Sequence, residues 1–212
     1  RDMHIVYIYP EFVIKGGTEK ILTEKANYFV THGYQVTIVT ESQMGRPTSF
    51  ELNPSIRLID IGLDFNKQYK QRPLRRILTY LLLKRKYKTQ LKNLLNNLHA
   101  DVVITTMGRS LSLLPKMTDC SIKLAEAHMT KVHLRNLHLM EQKGGLYWMV
   151  AKYMRWKMCE EVSKLDAIVL LTKSDEDDWK STAKTYVIPN PITFFPAQPS
   201  RLDNKNVIMV GR

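Results

Sequence analysis

The sequence predicts an α/β fold: a doubly wound, mostly parallel sheet with helices on both faces. Two observations predict it. Short runs rich in Val, Ile and Leu alternate along the chain with longer stretches of helical periodicity. The short runs are apolar along nearly their whole length, which is typical of strands buried on both faces, as in Rossmann-like sheets. With 212 residues, 44% of them hydrophobic, the chain is long enough for one such domain.

The predicted elements follow one another in regular order. The first strand, "HIVYIY" at 4–9, precedes a helix over 17–32 that Gly33 ends. A basic helical region covers 73–98, with apolar positions from Ile77 and Leu81 onward at helical spacing. A second long helix is expected over 147–165. The other strands are predicted at 35–40, 56–61, 101–106, 122–128, 167–172, 184–189 and 206–211.

The composition changes near residue 190. The stretch 191–205 carries prolines and polar residues, as a linker does, and a further strand pattern follows it. We therefore expect one domain over 1–190, an interdomain linker over 191–205, and the first strand of a truncated second domain over 206–212.

Composition also narrows the class of protein. No apolar run approaches the roughly 20 residues of a membrane span, and no secretory leader opens the chain. Cys120 and Cys159 lack the CxxC spacing of a metal site, which favours reduced thiols. We expect a cytoplasmic protein.

Adjacent glycines, Gly16 and Gly17, stand directly before the first helix. The dinucleotide fingerprint G-x-G-x-x-G is absent there. Two interpretations remain open: backbone amides left bare to approach a phosphate at a helix N-terminus, or a turn that needs positive φ. Glu19, in the first helical turn, suits the helix dipole.

His128 closes the predicted strand "IKLAEAH", with Glu126 two residues earlier on the same side. A histidine at the carboxyl end of a parallel strand can donate a hydrogen bond to a sugar hydroxyl or a phosphate. The alternative is an ordinary surface or capping histidine. These two are the candidate catalytic residues.

The segment "LTKSDEDDW" at 171–179 predicts a strand end followed by a helix capped by Ser174 or Thr172. Its acidic residues suit the first turns of a helix. Because consecutive acids do not share a helix face, a solvated helix start is favoured over a metal site. No metal is expected.

Positive charge is concentrated in one part of the chain. The net charge is +12, and no acidic residue occurs between Asp64 and Asp101. The cationic residues proposed there for a membrane or acceptor surface are Arg75, Arg76, Lys84, Arg85 and Lys86. Three interpretations stay open: a solvated helix face, an anionic membrane surface, or nucleic acid, although no nucleic-acid-binding signature is present. The segment 147–158 strengthens the surface-binding interpretation, while core packing explains its Trp148 and Met149 equally well.

Four segments together resemble glycosyltransferase family four, whose members have the GT-B fold. They are "KGGTEKILTEKANYFVTHGYQVTIVT", "AEAHMTK", "AIVLLTKSDEDDW", and "VIPNPI" followed by "NVIMVGR". The resemblance is collinear over nearly the whole chain. It implies the N-terminal, acceptor-binding half of such an enzyme.

The resemblance also implies roles for particular residues. In that family the double-glycine loop approaches the diphosphate and sugar of the donor, which carries onto Gly16 and Gly17. The strand-end histidine facing the transferred sugar carries onto His128, and the diphosphate-binding arginine onto Arg212. Glu19 and Thr172 join the implied substrate-binding set. Relatives often have Glu and His adjacent, so Glu126 departs from the pattern, and the family's donor-side glutamates lie beyond this chain.

The implied activity is retaining transfer of a sugar from a nucleotide-sugar donor to a glycan or lipid-linked acceptor. The implied setting is cell-envelope polysaccharide synthesis at the inner face of the plasma membrane, without metal or cofactor, and with the fragment alone inactive. One alternative is a non-enzymatic basic module that binds nucleic acid or an anionic membrane. Another is a different Rossmann enzyme such as a nucleotide-sugar epimerase, against which the missing fingerprint argues. No nucleic-acid partner is expected.

Overall fold

A computed structural model describes residues 2–70, 72–192 and 197–198, and its centre is one sheet of seven parallel strands. The strand order is β3-β2-β1-β4-β5-β6-β7, and every neighbouring pair is parallel. The predicted fold class is confirmed. The strands are β1 (His4–Tyr9), β2 (Gln35–Thr40), β3 (Arg57–Asp60), β4 (Val102–Thr106), β5 (Ile122–Glu126), β6 (Ala167–Leu170) and β7 (Thr185–Val187).

Helices connect the strands. They are α1 (Gly17–Thr31), α2 (Pro73–Leu98), α3 (Leu137–Gln142), α4 (Gly145–Val162) and α5 (Lys173–Trp179), with short 3-10 turns between some of them. Gly33 follows α1 with φ of +83°, the conformation that ends a helix. β5 and β6 end earlier than predicted, at Glu126 and Leu170. The cause at β6 is that Thr172 already serves as the N-cap of α5.

Both faces of the sheet are covered, as the apolar strand patterns predict. Along β1, Ile5 and Tyr7 pack into the core beneath α1. The alternate residues Val6 and Ile8 pack into the larger core beneath α2, α4 and α5. A strand with a buried core on each side has no polar face, because side chains alternate across the sheet.

The apolar stripe predicted along α2 is only partly buried. Tyr87, Leu91 and Leu95 are fully buried, whereas Ile77 and Leu81 are 56% and 55% exposed. The prediction was therefore wrong for Ile77 and Leu81, whereas Tyr80 of the same half of the helix packs against the core. The physical reason is length: 26 residues of helix extend roughly 39 Å, about twice the roughly 20 Å of a six-residue strand. The N-terminal half of α2 extends past the carboxyl edge of the sheet.

Other expectations fall at or beyond the end of the described chain. The predicted strand at 206–211, Arg212 and most of the linker at 191–205 lie outside the described residues. The domain boundary near residue 190 thus stays a prediction. None of the described helices combines the length and the apolar composition that a bilayer crossing requires. Cys120 and Cys159 are not bonded to each other.

Candidate functional site

The direction of winding reverses between β1 and β4. From β1 the chain proceeds outward to β2 and β3, and it then returns to place β4 on the other side of β1. In such sheets the loops at the carboxyl ends separate at this point and leave a crevice for ligands. Two cavities open at the carboxyl edge here, one of about 740 Å³ and one of about 450 Å³.

The smaller cavity, which we call the glycine–histidine cavity, brings together residues predicted from separate segments. Gly17, at the start of α1, and His128, after β5, both line it. The remaining lining residues are Thr18, Lys20, Ile21, Glu24, Asn190 and Pro191. The loop after β1 and the loop after β5 therefore meet at one site, although 111 positions of the sequence separate the two residues (128 − 17).

The imidazole of His128 is buried but not hydrogen-bonded. Its side chain is 9% exposed, and Nε2 lies 3.2 Å from Oε2 of Glu126. The contact lacks hydrogen-bond geometry, so among the described residues neither ring nitrogen has a hydrogen-bond partner. Leaving such a group unpaired costs about 1–3 kcal/mol. The residue lines the cavity, although its two ring nitrogens have almost no accessible surface.

Glu126 lies behind His128 and holds a charge there. It is 5% exposed, and Nζ of Lys25 in α1 donates to its Oε1 at 2.5 Å. Burial opposes its ionisation, but His128 and Lys25 outweigh burial and lower the pKa of the Glu126 carboxyl. Glu126 does not line the glycine–histidine cavity, so its position suits orienting His128 rather than touching a ligand.

The two glycines are used differently. Neither has positive φ, so the interpretation as a positive-φ turn is wrong. A Cβ on Gly16 would lie 2.2 Å from Oε2 of Glu19, whereas a Cβ on Gly17 would meet nothing within 4 Å. The carboxylate of Glu19 also accepts from the hydroxyl of Tyr9 at 3.0 Å. Gly16 thus leaves room for Glu19 at the N-terminus of α1, and Gly17 leaves open space.

Thr172 is the helix cap that the sequence left open between two residues. Its Oγ1 accepts from the amide of Asp175 at 3.2 Å, and it does not line the glycine–histidine cavity. Asp175 is buried, and Asp177 pairs with Lys180 at 2.7 Å. Within the ranges that the structure describes, no group of three or more His, Cys, Asp or Glu side chains is arranged to hold a metal ion.

The larger cavity, which we call the switch-point cavity, lies between the N-terminal half of α2 and the C-terminal half of α4 and is strongly cationic. Pro10, Met107 and Gly108 place it at the carboxyl ends of β1 and β4. Four cations line it, Lys84, Arg109, Arg135 and Lys157, against one carboxylate, Glu161.

Two of these cations are anchored. Nη1 of Arg109 bonds Oε2 of Glu41 at 2.8 Å, and the Arg135 guanidinium donates to the carbonyls of Met107 and Gly108 at 3.1 and 3.0 Å. Sequence reasoning missed both arginines. The available signal was the position of Arg109, three residues beyond the end of β4.

The structure separates the five basic residues proposed on α2. Lys84 is half-buried and lines the switch-point cavity. Arg75, Arg76, Arg85 and Lys86 are exposed. On α4, Trp148 and Met149 are 49% and 62% exposed, so the interpretation as core packing was wrong for both.

Comparison with solved structures supports the fold. Sucrose-phosphate synthase from Thermosynechococcus elongatus is 13% identical, with a TM-score of 0.62 over 88% of this chain and 48% of its own. Phytolacca americana UGT2, solved with UDP-2fluoro-glucose and pterostilbene, is 13% identical, with a TM-score of 0.58 over 89% of this chain and 54% of its own. Medicago truncatula UGT71G1, solved with UDP-glucose, is 14% identical, with a TM-score of 0.53 over 88% and 51%.

The chain spans about half the length of these neighbours. At such low identity the likeness shows the fold alone. No model of a known protein family and no curated protein sequence matches the chain.

Proposed function

We propose that this chain is the acceptor-side half of a glycosyltransferase that takes its sugar from a nucleotide-sugar donor. The observation that carries the proposal is the glycine–histidine cavity. There, a buried imidazole without a hydrogen-bond partner and open space beside a helix N-terminus share one wall. The neighbours that were solved with UDP-2fluoro-glucose and UDP-glucose support the choice of donor class.

The chemistry of such a transfer matches these features. Departure of a nucleoside diphosphate develops negative charge, which fixed amides stabilise without reorganisation. The first amides of α1 have no intrahelical partner, and at Gly17 no side chain obstructs their approach. His128 then bonds the transferred sugar, and Glu126 with Lys25 fixes its orientation.

The finer parts of the proposal follow from the family resemblance. Arg212 binds the donor diphosphate, and a second domain beyond residue 206 supplies the rest of the donor site. Transfer is retaining, requires no metal, and delivers the sugar to a glycan or lipid-linked acceptor of the cell envelope on the cytoplasmic side. The 212-residue chain alone is expected to be inactive.

Release of nucleoside diphosphate tests the proposal in the full gene product that carries this chain. A panel of UDP- and GDP-sugars is incubated with the protein, with and without envelope glycolipid extract. We expect one donor to be turned over, and His128→Ala to lower turnover roughly 100-fold.

The matched control is His32→Ala, because His32 lies after α1 at the opposite edge of the sheet. It is expected to leave turnover unchanged. A gene product that turns over no donor, or a His128→Ala variant with full activity, would contradict the proposal.

A further inference from the structure

The extended half of α2 carries an apolar stripe with no covering element in the described structure. Leu74, Ile77, Leu78, Leu81 and Leu82 are between 55% and 80% exposed. Their spacing of three and four residues puts them on one face of the helix. Contiguous exposed apolar surface on this scale marks an interaction site.

Part of this stripe does not continue the core face of α2. At about 100° per residue, the mean direction of Leu74, Leu78 and Leu82 differs by roughly 140° from that of the fully buried Tyr87, Leu91 and Leu95. Ile77 and Leu81 lie nearer the core face, but the three outer leucines point away from the sheet, and packing of the described domain cannot account for them.

The exposed half of α4 has the same character with aromatic residues added. Its large exposed apolar side chains are Leu146, Tyr147, Trp148, Met149, Val150, Tyr153 and Trp156. Lys152 lies 5.6 Å from the ring of Trp148, and Lys157 lies 6.0 Å from that of Tyr153. Trp and Tyr beside Lys are typical of the interface between lipid headgroups and acyl chains.

The charge of the residues around these two faces indicates which kind of partner covers them. Residues 65–100 contain no Asp or Glu, and α4 has none before Glu160. Protein–protein interfaces are depleted in Lys relative to the rest of the surface. An apolar face bordered by lysines in segments without acidic residues instead complements an anionic bilayer.

We propose that the exposed faces of α2 and α4 dock on a bilayer containing anionic phospholipid, and that the switch-point cavity between them receives a lipid phosphate. We call these two faces together the docking surface. The leucine and tryptophan side chains enter the acyl boundary, and Lys84 and Lys157 meet the phosphate. The inference does not depend on sugar transfer.

The switch-point cavity suits a phosphate. Neither Lys84 nor Lys157 has a carboxylate within ion-pair distance among the described residues. Burial, followed by the charge of Lys157, lowers the pKa of Lys84. A bound phosphate offsets the repulsion between Lys84 and Lys157, because it pairs with both ammonium groups.

Two tryptophans report on docking directly. Trp148 and Trp156 lie on the docking surface, while Trp179 is fully buried and supplies a constant background. The chain is mixed with phosphatidylcholine vesicles, with and without phosphatidylglycerol. We expect flotation with the anionic vesicles only, a blue shift of the fluorescence, and binding that weakens with salt.

Matched pairs of lysine substitutions locate the effect. Lys84→Glu with Lys157→Glu is expected to weaken vesicle binding at least roughly tenfold. Lys164→Glu with Lys184→Glu makes the same charge change at the opposite edge of the sheet, because these exposed lysines lie just before β6 and β7, and it is expected to change binding less than roughly threefold. Leu78→Ser with Leu82→Ser is expected to abolish the blue shift. Thermal unfolding confirms that each variant is folded.

Several results would overturn the inference. These are equal loss in the two lysine pairs, absence of flotation, a concentration-dependent dimer that Leu78→Ser with Leu82→Ser dissolves, or a nucleic-acid gel shift that Lys84→Glu removes. Inorganic phosphate that displaces the chain from vesicles better than chloride of equal ionic strength would assign the cavity to free phosphate instead of a lipid headgroup.

Discussion

The glycine–histidine cavity and the docking surface lie at the same carboxyl edge of the sheet, but they are built in opposite ways. Near the cavity, two carboxylates have partners within the chain: Lys25 holds Glu126, and Tyr9 holds Glu19. On the docking surface, large apolar side chains extend from two helices beyond the sheet. Contacts within the chain fix the residues near the cavity, whereas the apolar side chains of the docking surface have few contacts in the described structure.

The two regions therefore differ in how much they contribute to the free energy of folding. Groups near the cavity contribute to folding, because burial of a charge requires its partner. Groups on the docking surface contribute little to folding, because their apolar area is exposed in the folded chain as well. Substitutions in the two regions should therefore separate stability from binding.

The largest effect on stability is expected from a comparison of the buried and the exposed parts of α2. Leu91→Ala removes a fully buried side chain from the core and should lower the free energy of unfolding by about 3 kcal/mol. Leu78→Ala changes a side chain that is 62% exposed and should cost less than about 0.5 kcal/mol. Urea denaturation of both variants measures the contrast. Similar losses would show that the docking surface is covered within the folded chain.

The next effect concerns the charge pair behind His128. Lys25→Met leaves the Glu126 carboxylate buried without its ammonium partner and should cost about 2–3 kcal/mol. The control on the same helix is Lys20→Met, because Lys20 is 53% exposed and lies 3.8 Å from Glu24. That change should cost less than about 0.5 kcal/mol. If the two losses are equal in chemical denaturation, Glu126 is not held by Lys25.

The sequence predicted the central strands well because they have few polar positions. The mainly apolar runs at 4–9 and 35–40 favour a buried parallel strand, and both begin and end as expected. Their polar residues His4 and Thr37 bond each other in the core. The sequence predicted the helices less well where they leave the sheet. Ile77 and Leu81 fit a core stripe by spacing alone, but spacing does not reveal where the sheet beneath a helix ends.

The site was predictable only as a set of separate pieces. A glycine before a helix and a histidine after a strand each suggested a ligand, and parallel strands bring such ends to one edge. Gly17 and His128 line the same cavity because of the order of the strands in the sheet. That order cannot be predicted from the residues next to either of them. Arg109 and Arg135 were missed for the same reason, since they meet only through the loops after β4 and β5.

A smaller effect distinguishes two buried carboxylates by pH. The pKa of Glu126 is lowered in the folded chain, because His128 and Lys25 outweigh its burial. That of Glu41 is raised, because burial outweighs Arg109. Glu126 therefore adds stability above its unfolded pKa of about 4.5, and this is lost as pH falls through the folded pKa. Ionisation of Glu41 instead reduces stability as pH rises from about 4.5 through its folded pKa.

The measurement is unfolding free energy against pH for Glu126→Gln and Glu41→Gln. Glu126→Gln should flatten the rise in unfolding free energy that occurs with increasing pH on the acid side. Glu41→Gln should remove the fall in unfolding free energy that occurs as Glu41 ionises at higher pH. Changes of the same sign would mean that the two carboxylates do not differ in their surroundings.

The smallest effect on stability concerns the glycines that face the cavity. Gly17 has ordinary helical surroundings and open space at its Cβ position, so Gly17→Ala should raise the free energy of unfolding by about 0.5 kcal/mol. Gly16→Ala should lower it slightly, since the new Cβ would displace the flexible carboxylate of Glu19 from the hydroxyl of Tyr9. Thermal unfolding measures both signs, and nucleoside diphosphate release in the full gene product measures function. A Gly17→Ala variant that is more stable and less active would mean that glycine is kept there for access to the helix amides rather than for folding. Unchanged activity would instead place the donor elsewhere along the edge.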